Sequence, residues 1–73
     1  MSNLKNVRIK SGISQSELAK RTGVNLRMLQ YYEQGVKNID GAKIDTLAAL
    51  SIALDCRISE IMEHPEKVVN AKI

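Results

Sequence analysis

Residues 15–34 read QSELAKRTGVNLRMLQYYEQ, and this stretch decides the fold. Glu17, Leu18 and Ala19 precede a single glycine, Gly23, and Val24, Leu29 and Tyr32 follow it. The pattern predicts two short helices joined by a tight glycine turn. Ala19 is small, so the two helices can approach closely. Gly23 permits a left-handed backbone that only glycine adopts cheaply. Val24, Leu29 and Tyr32 then fix the crossing by packing. A generic helical hairpin has one of these features, and finding all of them in register is far more specific.

The surrounding sequence is helical in pattern. Ser14-Gln15-Ser16-Glu17 reads as a capping box, with Ser14 accepting from the amide three residues on and Glu17 reaching back. Ile13 enters the core ahead of it. A first helix is expected over residues 4–11, with Leu4 and Val7 on one face and Gly12 as its cap. Asn25 is the expected cap of a helix that ends at Gln34, before Gly35. Residues 36–43 read as a polar loop turning at Asp40-Gly41. Residues 44–54 are apolar nearly all round, as a buried central helix would be. Ser59 is the expected cap of a short fifth helix through Glu63. Pro65 blocks easy continuation, though it can open another short turn. No alternating run is long enough for a strand, so the fold class is all-α.

Composition narrows the function. Seventy-three residues make one domain, with a core worth roughly 3–5 kcal/mol net. The one cysteine, Cys56, precludes an internal disulfide. Cys56 and His64 are too few ligands for a zinc site, so no metal and no cofactor is expected. Cys56 reads as a small hydrophobe at a turn, with a redox sensor as the minor alternative. His64 reads as a solvated helix-end residue, Met28 as helix surface and Met62 as core. The longest apolar run, Leu47 to Leu54, is broken by Ser51 and is far too short to span a bilayer. The first residues are polar and charged, unlike a signal peptide. A reducing, cytoplasmic setting fits. No catalytic constellation is visible, and no enzyme is expected.

The formal net charge is +3 and is unevenly placed. Residues 1–43 hold eight Lys/Arg against three Asp/Glu, whereas residues 44–73 hold three against five. A basic half of this kind suits a polyanionic partner.

The sequence from Leu4 to Met62 resembles the Cro/C1-type helix-turn-helix family, also called the XRE family, of phage repressors and bacterial regulators. The likeness rests on Ile13-Ser14-Gln15, Glu17-Leu18-Ala19, Gly23-Val24, Tyr32-Glu33-Gln34-Gly35, Thr46-Leu47 and Leu54. It implies a compact five-helix lambda repressor-like domain over residues 1–64, followed by a tail, 65–73, that is disordered or binds a partner. The helix-turn-helix would span residues 15–34, with a recognition helix over 25–34 in the major groove. By position, Leu26, Arg27 and Tyr31 would read base edges, with Gln30 next in line. Arg27 can bond bidentately to guanine. Leu26 can meet a thymine methyl but cannot donate, a departure from the polar residue usual there. Gln15 would touch the DNA backbone from a helix start, where free amides favour phosphate. Ser14, Gln34, Lys37 and Asn38 would add backbone contacts, with Lys43 nearby. Arg8 and Glu33 match an internal ion pair of the family.

The resemblance implies sequence-specific binding of double-stranded DNA by a transcriptional regulator, a Cro/C1-like repressor acting as a homodimer. Two-fold symmetry then implies an inverted-repeat operator with half-sites about 34 Å apart. The expected dimer contact is the fifth helix and tail: Ile58, Ile61, Met62, Val68, Val69 and Ile73. Two alternatives share part of this reading. One is an antitoxin whose apolar tail folds on a protein toxin. The other is a restriction–modification controller protein. No membrane partner is expected.

Overall fold

A computed structural model describes residues 2–67. Among the described residues there are five α-helices and no strand. They are α1 (Asn3–Ser11), α2 (Gln15–Thr22), α3 (Leu26–Gln34), α4 (Ile44–Leu54) and α5 (Ile58–Ile61). Short 3-10 turns occupy Ile39–Gly41 and Pro65–Lys67. Val68, Val69 and Ile73, expected at a dimer face, lie outside the described residues. No helix among the described residues is long and apolar enough to cross a membrane.

Local chemistry sets most of the boundaries. The Ser2 hydroxyl accepts from the Lys5 amide at 2.9 Å, so α1 begins one residue earlier than its apolar pattern suggests. Ser14 accepts from the Glu17 amide at 3.0 Å, as expected of a cap. The reciprocal half of the capping box is not made. Glu17 instead accepts from Arg21 at 2.8 Å, one turn along α2, where an exposed opposite charge is a ready partner. Asn25 accepts from the amides of Arg27 and Met28 and starts α3. Gly23 takes φ +77°, and its amide donates back to the Ala19 carbonyl. The Thr22 hydroxyl completes this turn by donating to the Leu18 carbonyl and accepting from the Val24 amide.

The helices pack around Leu4, Leu18, Leu29, Leu47, Leu50, Leu54 and Ile61. Ala19, Val24 and Tyr32 press against this cluster from the turn and α3, as their spacing implied. Tyr31 and Tyr32 are both half-buried, but only Tyr32 joins the core. Three expectations need correction. First, the 36–43 loop is not wholly polar, because Ile39 is only 1% exposed and belongs to the core. Its 3-10 turn is capped by Asn38, which accepts from the Asp40 amide. Second, α4 is buried on one face only. Leu47, Leu50, Ser51 and Leu54 point inward, while Ile44 and Ile52 are 57% and 79% exposed. Third, the cap of α5 is Arg57 rather than Ser59, with Glu60 accepting from the Arg57 amide at 2.6 Å. Ile61 and Met62 are fully buried in the domain's own core, and Ile58 packs against it. Ile61 and Met62 therefore offer little to a second subunit.

Residues on the 3-10 turn give a direct check of the revised core. Ile39→Ala should lower stability by about 2–5 kcal/mol, because it opens a cavity. Val36→Ala, on the exposed part of the same loop, should change it by less than about 0.5 kcal/mol. Equal urea midpoints for the two variants would contradict the assignment.

Candidate nucleic-acid interface

The helix-turn-helix is held to α1 by one buried polar cluster. Glu33, on the last turn of α3, has a side chain only 2% exposed. Its Oε2 accepts from Arg8 Nε at 2.7 Å and its Oε1 from Arg8 Nη2 at 3.0 Å. This is the bidentate geometry that gives an arginine–carboxylate pair its strength. Arg8 Nη1 also donates to the Ile13 carbonyl at 2.8 Å, in the connection between α1 and α2. The hydrogen bond to Glu33 pushes the Arg8 guanidinium further up from its already high range and outweighs the opposing effect of burial. Arg8 is thus permanently charged. The ion pair expected between Arg8 and Glu33 is present in the structure.

Gln15 completes the cluster. Its Nε2 donates to Glu33 Oε1 at 3.0 Å. An ionised carboxylate only accepts, so this bond fixes which end of the Gln15 amide faces inward. The second N–H of Gln15 is left for another acceptor. Ser14 has the same residual capacity: its oxygen caps α2, while its hydroxyl proton remains free to donate. Both residues stand at the N-terminus of α2, where the helix dipole favours an anion.

Along α3, Leu26 is 37% exposed, Arg27 is exposed, and Gln30 and Tyr31 are half-buried. Arg27, Gln30 or Tyr31, and Gln34 follow at helical spacing and form one stripe about 10 Å long. Arg27 has no ion pair and no side-chain hydrogen bond among the described residues, so its guanidinium fork is unengaged. At the far end of α3, Gly35 takes φ +81°. The chain then doubles back, and the amides of Val36 and Lys37 both donate to the Tyr31 carbonyl. That return holds the backbone of Lys37 against the end of the stripe. Gln34, Lys37 and Asn38 line one shallow cleft there. The structure thus brings the sequence-predicted residues into two adjoining groups. Gln15, next to the cap Ser14, is tied to the last turn of α3 through Glu33, and Lys37 and Asn38 through the Gly35 return. Lys43 stands apart, at the start of α4.

Sequence reasoning missed the residue that fixes the loop. Asp40 accepts from the amides of Glu63 at 2.8 Å and His64 at 2.9 Å, clamping the loop to the exit of α5. Asn3 closes the same region, its backbone amide donating to Glu63 and its side chain to the Met62 carbonyl. The Asp40-Gly41 pair reads as a turn signal in sequence, yet Gly41 does not use a positive φ. The short polar side chain of Asp40 is the operative feature. Nothing local in the sequence links it to partners more than twenty residues away.

A family model described as the Cro/C1-type HTH DNA-binding domain matches residues 3–67. The chain belongs to this family of DNA-binding domains. Neither the curated proteins nor the solved structures give a significant match.

Breaking the buried pair from one side should be severe. Glu33→Ala should cost about 3–5 kcal/mol, close to the whole stability of so small a domain. The joint replacement Arg8→Met with Glu33→Leu should recover most of that loss in urea unfolding, since no charge is then left buried alone. A double variant as unstable as Glu33→Ala would contradict this account.

Cys56 is half-buried beside α5. Burial pushes its thiol up, and the nearby Glu60 and Asp55 carboxylates add to the effect. The folded chain therefore disfavours the thiolate. Its contribution to stability is complete below the unfolded thiol's pKa and is lost as pH rises through the folded value. Iodoacetamide should alkylate the folded protein more slowly than the urea-unfolded chain at the same pH. Equal rates would refute the burial argument.

Proposed function

We propose that this domain is a transcriptional regulator, of the repressor type, that reads an operator in double-stranded DNA through the major groove with α3. The observation that carries this reading is Arg27. It is exposed in the first turn of α3, free of partners among the described residues, and ahead of Gln30, Tyr31 and Gln34 on one stripe. An unpaired arginine at the start of a recognition helix suits bidentate reading of guanine. Leu26, Gln30 and Tyr31 complete the base-reading set in this proposal. Ser14, Gln15, Gln34, Lys37 and Asn38 hold the phosphates and set the register. One such helix reads few base pairs, so the operator is an inverted repeat bound by two copies. The functional unit is residues 1–64, and the protein acts in the cytoplasm.

Selection from a random duplex library should enrich an inverted repeat. On the enriched site, Arg27→Ala should lose about 1–3 kcal/mol of discrimination at one base position in each half-site, with the fold unchanged. Lys37→Ala should weaken specific and random DNA alike and lower the salt slope by about one. Absence of any enriched sequence, or an Arg27→Ala variant with unaltered preference, would overturn the reading.

A further inference from the structure

The exposed face of α4 has no partner within the domain. Ile44 and Ile52 are 57% and 79% exposed, and Ala48 lies between them at the same four-residue spacing. The three share one side of the helix, about a third of a turn round from the inward Leu47, Leu50 and Leu54. The two ends of α4 are also poorly served. Its N-cap, Lys43, makes no side-chain capping bond. Its C-cap, Asp55, holds φ +52° and places a negative charge at the negative end of the helix dipole. Neither Lys43 nor Asp55 forms an ion pair among the described residues.

We infer that this face pairs with the α4 of a second copy of the chain, the two helices running antiparallel. Such an interface is self-complementary under a two-fold axis. Ala48 lies near the axis, where its small side chain permits close approach. Ile44 of each copy meets Ile52 of the other. Lys43 of each copy lies beside Asp55 of the other, so the acidic C-cap reaches the uncapped positive end of the opposite helix. Ile61 of the fifth helix and Met62 just after it are already buried and add little to such a contact.

An eleven-residue helix presents less than the roughly 1,200 Å² of a standard stable interface, so free chains associate weakly. The groove beside α4 is walled on its other side by Asn25 and Met28, at the start of α3. Pairing at α4 therefore sets the two α3 helices relative to each other, a role that rests on the DNA-binding reading above.

Cross-linking without DNA tests the contact separately from that reading. In a Cys56→Ser background, Ala48→Cys is compared with Ile9→Cys, an exposed site on α1, under mild oxidation. The Ala48→Cys chain should form covalent dimers several times faster. Adding Ile52→Lys should bring its rate down to the Ile9→Cys level. Lys43→Glu should slow cross-linking, and Lys43→Glu with Asp55→Lys should restore it. Circular dichroism verifies that each variant is folded. Equal rates at Ala48 and Ile9, or no rescue by the double reversal, would overturn the inference and leave the α4 face to a different protein.

Discussion

The carboxylate of Glu33 is the point on which the rest of the structure depends. It gathers two donors from Arg8 on α1 and one from Gln15 on α2, and it is itself carried on α3. Arg8 adds a bond to the Ile13 carbonyl between the first two helices. Four segments are thereby fixed by one buried pair. Hydrophobic residues of similar volume can match such a pair for stability. They could not orient the Gln15 amide. The pair thus links two levels, since the same oxygen that satisfies a buried guanidinium decides which Gln15 donor faces outward.

A second polar lock holds the loop and the exit of α5. Asp40 and Asn3 bind the backbone around Met62, Glu63 and His64, and so hold the loop and α5 against α1. The apolar cluster that both locks brace includes Leu29 and Ile39. No buried side-chain nitrogen or oxygen among the described residues lacks a hydrogen-bond partner. That complete satisfaction matters in a domain whose net stability is a few kcal/mol, where one orphaned polar group would remove much of it. It also leaves the outer stripe of α3 free of structural duty, which is why its side chains are available to a ligand.

The parts of the fold legible in sequence are those with local causes. Ser14, Asn25, Gly12, Gly23 and Gly35 mark helix ends because each acts on amides or carbonyls a few residues away. The Arg8–Glu33 pair was reachable only through the family resemblance, because nothing in the spacing of residues 8 and 33 requires contact. Where long-range partners decide, local reading fails. Ile39 sits in a polar run, so its burial follows from α-helices packed elsewhere. Glu17 meets Arg21 rather than its capping partner, because both geometries are open to a surface glutamate. The apolar run of α4 overstated burial because the domain has too few elements to cover every face. The candidate site follows the same division. The stripe from Arg27 to Gln34 is set by helical periodicity, whereas the placing of Gln15 and Lys37 beside it depends on Glu33 and on the return at Gly35.

The central claim is that the start of α2, the outer stripe of α3 and the return after Gly35 form one DNA-facing surface. The most direct test is a titration of the isotope-labelled domain with its selected duplex, followed by backbone amide NMR. The account predicts that the largest shifts fall on residues 14–15, 26–31 and 34–38, with α5 unmoved. Shifts concentrated on α5 and the outer face of α1, with residues 26–31 unaffected, would contradict it.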